Sequence, residues 1–319
     1  MKQAIERTDN LIALSEVACP AIDTRAGRQE NARLFLRMGM QALADIVEGA
    51  YGEGLAVGEH IQSLLWNRLE RGGMDAYTAL QPWPEYVQYM SLLPRPVTKF
   101  SISDRRIDNL AQAYADVQRA PITPSNEFET NARHVMHLNV LSLPYSARVY
   151  PELDLSRIAI YNLVHDVVEA YAGDTPSLGI TAQEKLAKDE REKQALERIL
   201  LEFGVSHPKF TRLIIKREHL EDDEANYSKT FDKLDPKFPT IAGKGASLRS
   251  NVISITKDRY VETNTKDALA MRMSYGKFYP EVVDDFVELS NHATQHSWPQ
   301  DSSSIKNKTA PTDCQGRGA

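Results

Sequence analysis

The stretch "IAIYNLVHDVVEAYAGDTP", residues 158–176, sets His165, Asp166, Glu169 and Asp174 among Ile158, Ile160, Leu163, Val164, Val167 and Val168. Its apolar spacing predicts a buried helix over about 156–172. Gly173 ends that helix, and Asp174 follows in the next loop. Helical positions three and four apart share a face, so His165, Asp166 and Glu169 gather within one turn. An uncompensated buried charge costs several kcal/mol. Any fold of this chain must therefore bring counter-charges to this helix. A divalent cation meets that need, because it pairs with carboxylate and takes neutral imidazole as a ligand.

One helix cannot surround an ion. Upstream, "FETNARHVMHLNVLSL" offers His134 and His137 on one helical face. Downstream, "NYSKTFDKLDPKF" offers Asp232 and Asp235, the latter followed by Pro236 and suited to a helix end. A mixed imidazole and carboxylate set suits Mn, Co, Fe, Ni or Zn better than Ca or Mg alone.

The rest of the chain sets the frame. Among 319 residues, 42% are apolar, enough for a core in one large or two modest domains. The net charge of −6 argues against nucleic acid as the main partner, since phosphate-backbone affinity comes from clustered Lys and Arg. Only Cys19 and Cys314 are present, which excludes a disulfide scaffold or a Cys-rich zinc site and fits a reducing, cytoplasmic setting. No signal pattern or apolar run long enough to span a bilayer is found, so no membrane partner is expected.

Periodicity predicts helices at 1 to about 19, ending near "CP", at 28–48, over "VGEHIQSLLWNRLERGG", and at about 103–118, 129–142, 156–172, 181–203, 218–234 and 277–292. Thr181 and Glu184 form a capping box. Residues 81–98 are Pro-punctuated and read as a linker or wrapping segment, and "RAPITPSNEFE" as a loop. "KFTRLII" and "SNVISIT" are the most strand-like stretches, both weak. The organisation expected is a helical N-terminal region (1–99), a second helical region that holds the His and Asp residues above (100–295) and a polar, disordered tail (296–319).

An adjacent His-Asp pair in an apolar helix, a lone His before it and a lone Asp after it resemble the HD-domain metal-dependent phosphohydrolase superfamily. "HDVVEAYAGDTP" is similar to the HD-x-x-E-x-x-x-G-D-x-P segment of its 5′-nucleotidase branch, which acts on deoxyribonucleoside monophosphates. "ETNARH", "KDEREKQAL" and "TFDKLDP" resemble three further segments of that branch, so the likeness spans about residues 103–240. It implies an all-α HD-domain bundle in which His134, His165, Asp166 and Asp232 bind a divalent metal (Mn, Co, Mg, Fe, Ni or Zn). Glu169 would position or deprotonate water, and Asp174 would act at the sugar or leaving-group side. The implied reaction is hydrolysis of a nucleotide phosphate ester, first a (deoxy)nucleoside 5′-monophosphate, by metal-activated water.

The sequence also departs from the branch. Arg133 stands where the family has Glu, and its phosphate-gripping Arg-Trp pair has no clear match. Arg119, Arg133 and Lys188, with Lys185 behind them, are the candidates for that grip. A phosphodiesterase, a triphosphohydrolase or a non-catalytic nucleotide sensor would use the same ligand set. The N-terminal region could cap the site, bind a partner or form a homodimer surface. His292 and His296 have ligand spacing but border the polar tail.

Overall fold

The structure, a computed structural model, describes residues 2–23, 26–48, 55–93, 103–123, 126–176, 178, 180–250 and 253–298. Five helices come first: α1 (Lys2–Asp23), α2 (Ala26–Glu48), α3 (Leu55–Arg71), α4 (Ala76–Ala79) and α5 (Pro84–Leu92). Then come α6 (Arg105–Asp116), the strands β1 (Gln118–Ile122) and β2 (Phe128–Thr130), α7 (Asn131–Val149), α8 (Leu155–Val164) and α9 (Glu169–Ala172). The chain continues with α10 (Ala182–Phe203), α11 (Pro208–Glu218), α12 (Asp223–Asp232), α13 (Lys237–Ala242), a 3₁₀ turn at Ser247–Arg249, α14 (Lys257–Ser274) and α15 (Pro280–His296). The fold is all-α, with one small hairpin.

Helix α7 is the axis. Asn131 through Ser146 are all buried, as expected of a helix surrounded by other helices. It packs against α1, α2, α5, α6, α8 and α12. One hydrophobic cluster runs from Leu11 and Leu14 on α1, through Leu138 and Leu163, to Phe286 and Leu289 on α15. The N-terminal helices thus share the core that carries the central residues. Among the described residues, no helix is long and apolar enough to cross a membrane.

Several elements differ from the sequence expectation. Helix α1 does not stop near Cys19 but continues through Pro20 to Asp23. Ala18, Ala21 and Ile22 are buried there, and that packing outweighs the hydrogen bond Pro20 cannot donate. The segment at 81–98 contains α5, which Pro84 starts from its first turn. The loop expected at 119–129 holds an antiparallel hairpin that pairs Gln118 with Thr130 and Ile122 with Phe128, with a register shift between. The single helix expected at 218–234 is two: Leu220 takes a left-handed φ of 52°, and Asp222 caps α12 by accepting from the Ala225 N–H.

"KFTRLII" belongs to α11, and none of the described residues of "SNVISIT" forms a strand. Helix α14 was not anticipated; its sequence is too evenly polar to mark a buried face. The tail expected from 296 is helical at His296, and Trp298 packs against Tyr260 with ring centroids 5.3 Å apart. Residues 299–319, with Cys314, lie outside the described residues.

Candidate metal centre

The helix expected at 156–172 is interrupted where the chemistry sits. Helix α8 ends at Val164, and the chain tightens: the N–H groups of Val167, Glu169, Ala170 and Tyr171 bond carbonyls three residues back. Such a 3₁₀-like segment inside a helix often marks a functional position. Here it carries His165 and Asp166. His134 comes from the first turns of α7, which Thr130 caps by accepting from the Arg133 N–H. Asp232 is the last residue of α12.

These elements bring His134, His165, Asp166 and Asp232 together, with one ligand atom from each within 4.8 Å of the others. His134 Nε2 lies 3.0 Å from His165 Nε2 and 3.1 Å from Asp232 Oδ1. His165 Nε2 lies 3.0 Å from Asp166 Oδ2 and 3.6 Å from Asp232 Oδ1. Both imidazoles are fully buried, whereas the carboxylates of Asp166 and Asp232 are 20% and 16% exposed. The cluster therefore opens to solvent on its carboxylate side.

The far side of each ring decides what the cluster can hold. His134 Nδ1 is 2.7 Å from Asp235 Oδ2, and His165 Nδ1 is 2.8 Å from the Asn162 carbonyl. A carboxylate and a carbonyl only accept, so both Nδ1 atoms carry protons. In the neutral rings, two Nε2 lone pairs then face each other at 3.0 Å, beside two carboxylates. That arrangement repels itself unless positive charge occupies the centre.

The protonation balance agrees. Burial and Arg119 oppose a charge on His134, yet the Asp235 charge and the hydrogen bonds His134 donates to Asp232 and Asp235 raise its pKa to about 10. Burial would lift Asp166 too, but His165 and Arg119 hold it well below the usual carboxylate range. Asp232 is held low against burial by His134 and His165. Two imidazole nitrogens and two carboxylate oxygens fit a divalent transition ion or zinc.

Glu169 lies beside this cluster, buried, its Oε2 accepting from Asn131 Nδ2 at 2.9 Å. Burial, followed by the Asp166 charge and then Asp174, pushes its carboxyl up to about 8 against the pull of Arg119 and the Asn131 bond. Asp174 is half-buried just past Gly173, which caps α9 with a φ of 72°.

Arg119, on β1, is turned inward. Its Nη1 pairs with Asp166 Oδ2 at 3.1 Å, and its Nε lies 3.4 Å from Glu129 Oε2. Burial works against its charge, but Asp166, Glu129, Glu169 and Asp174 hold the proton more firmly than usual. The hairpin that sequence reading took for a loop is thus what places a cation against Asp166.

The other expected residues lie elsewhere. Arg133 Nη2 pairs with Glu127 at 2.8 Å, and its Nη1 donates to the Phe128 carbonyl. Lys188 donates to the Thr175 carbonyl at 3.0 Å and tethers α10 to the loop after Asp174. Lys185 pairs with Asp189 on an exposed face. His292 and His296 stack with centroids 4.3 Å apart and belong neither to that cluster nor to the second group of described residues that could hold an ion, Glu129, His134 and Asp235.

Two residues escaped the sequence reading, Asn131, which holds Glu169, and Lys229; Asp235, expected only to suit a helix end, holds His134. The ammonium of Lys229 lies 3.9 Å from Asp232 Oδ2 and is 37% exposed at the rim of the cluster. Its signal was its place one helical turn before Asp232.

The family model of the HD domain matches residues 115–272. The chain carries an HD domain. No curated protein and no solved structure matches the chain. The HD domain begins at the end of α6, takes in the hairpin and all four clustered residues, and ends within α14. HD domains bind divalent metals, and this HD domain has the His and Asp cluster for one. It supports, in general, a metal-dependent hydrolase.

Proposed function

We propose that the protein is a divalent-metal-dependent phosphohydrolase of nucleotides, with a (deoxy)nucleoside 5′-monophosphate as its first substrate. The observation that carries this is the pair of imidazoles with fixed Nδ1 protons whose Nε2 atoms meet two carboxylates, next to a near-neutral Glu169. His134, His165, Asp166 and Asp232 would hold the ion. When bound, the ion polarises a phosphoryl oxygen and makes water more acidic.

The chain's own groups supply the rest. Asn131 fixes Glu169 Oε2, which leaves Oε1 to accept a proton from the attacking water. A carboxyl pushed up to about 8 is matched to that task near neutral pH. Arg119 neutralises and orients Asp166. In-line phosphoryl transfer depends mainly on positioning and charge stabilisation, and Lys229 at the rim is the cation we assign to the substrate phosphate, with Arg119 behind it. Asp174, past the end of α9, is assigned to the sugar or leaving-group side. Support for a monophosphate comes from the likeness of "HDVVEAYAGDTP" to the nucleotidase segment.

The test is a screen of EDTA-stripped protein reloaded with Mn, Co, Mg, Fe, Ni or Zn against ribo- and deoxyribonucleotides at each phosphorylation level. The expected result is metal-dependent release of inorganic phosphate from monophosphates, abolished in His165→Ala and Asp166→Ala. Release of pyrophosphate or ring-opening of a cyclic nucleotide would reassign the substrate. No turnover with any pair would overturn the proposal.

A further inference from the structure

We infer that Asp235 and His137 are positioning residues for the metal centre, and that α1 takes part in it through Ser15. The inference rests on the metal centre proposed above and extends it to groups that touch no ion.

The bonds form one chain. Asp235 is fully buried, and each of its oxygens meets a different imidazole: Oδ2 lies 2.7 Å from His134 Nδ1 and Oδ1 lies 2.8 Å from His137 Nδ1. The far nitrogen of His137, Nε2, lies 2.9 Å from Ser15 Oγ, with Cys19 Sγ 3.8 Å away. Ser15 and Cys19 are one turn apart on α1. The edge of Phe238 packs against the His137 ring. No rotation of His137 keeps both of its hydrogen bonds, so its ring is locked.

Asp235 also completes a clamp. Asp232 and Asp235 are three residues apart at the end of α12, and they grip His134 from opposite ends: Asp232 Oδ1 at Nε2, 3.1 Å, and Asp235 Oδ2 at Nδ1, 2.7 Å. The second carboxylate fixes which nitrogen of His134 carries the proton and the plane of its ring, and hence where the Nε2 lone pair points. His137 and Ser15 in turn fix the plane of that carboxylate. A residue that only filled the core would not need two donors on two oxygens. This gives the N-terminal helix a task at the centre: it supplies the far anchor of a ligand's orientation.

The test uses full-length protein stripped with EDTA and titrated with Co²⁺, read by calorimetry and by the visible d–d band. Asp235→Asn and His137→Leu are expected to weaken Co²⁺ binding by about 10- to 100-fold and to shift the band. His137→Gln, whose amide can still donate to Asp235, is expected to recover part of both. Ser15→Ala removes one hydroxyl at the far end and is expected to cost a few-fold, so it keeps the test open if a harsher variant does not fold. Folded variants with wild-type affinity and an unmoved band overturn the inference while leaving the metal centre standing. Wild-type protein that binds no Co²⁺, Mn²⁺ or Zn²⁺ overturns both.

Discussion

Glu169 shows how one residue can be read at two levels. In sequence it is an acid on a greasy helix; in the structure its environment sets its protonation. Its carboxyl titrates at about 8 in the folded protein but near 4.3 in an unfolded chain. As pH rises through that window, the unfolded chain releases a proton that the fold retains, so Glu169 increasingly costs stability, on the order of 4–5 kcal/mol at pH 8. Glu169→Gln should therefore raise the Tm of the EDTA-treated protein at pH 8 and change it little at pH 4, while removing turnover. Parallel melting curves at the two pH values would refute this.

His134 bears on metal affinity. Its proton, held up to about 10, must leave for an ion to bind, so metal affinity should rise with pH across the neutral range and binding should release protons. Calorimetry in buffers of different ionisation enthalpy measures that release. Lys229→Ala should raise KM for the monophosphate several-fold with metal affinity little changed, which steady-state kinetics alongside a Co²⁺ titration will decide.

At this scale the sequence was legible where residues conflicted with their surroundings: His165 and Asp166 stand out because an apolar helix does not otherwise contain them. Asn131, Asp235 and Lys229 have no such conflict. The partners that give Asn131 and Asp235 meaning lie 38 and 101 residues away, and only the fold reveals them.

Among the elements, α2 was legible from its apolar periodicity and α10 from the capping box at Thr181 and Glu184. Three of the misses have one cause in common: tertiary contacts overrode a local signal. Proline did not stop α1, the polar loop before α7 became a hairpin once α13 packed against β1, and the helix carrying His165 tightened to aim its ligands. Helices α3 and α8 pack against each other through a point that local rules would have called a weakness. A Cβ at Gly58 would overlap the Ser156 backbone at the start of α8. Although alanine favours an isolated helix, Gly58→Ala should destabilise the protein by about 1–3 kcal/mol through overpacking. Chemical denaturation will show this as a lower midpoint with an unchanged m-value.

Across the whole molecule, the first and last described helices are tied at a buried carboxylate. Asp285 on α15 accepts from Arg7 Nε at 3.1 Å, Thr8 Oγ1 at 3.1 Å and Tyr145 OH at 2.5 Å. Asp285→Ala would leave Arg7 without its carboxylate and the Tyr145 hydroxyl without an acceptor. Its expected cost is about 3–5 kcal/mol, read as a Tm lower by several degrees in the metal-free protein. A variant melting like wild type would show the tie to be dispensable. Nothing in the sequence pointed to this contact, since Arg7 and Asp285 are 278 residues apart.

The spacing of the cluster also bears on how the chain folds. His134 and Asp232 lie 98 residues apart and His134 and His165 lie 31 apart, so their meeting requires two large loops to close first. An ion that needs all of them has nothing to hold early in the search for the native topology. Saturating Mn²⁺ should then slow unfolding while leaving the refolding rate nearly unchanged. The metal would serve as a latch on a finished structure rather than a seed for an unfinished one, a distinction that stopped-flow fluorescence with and without the ion can draw.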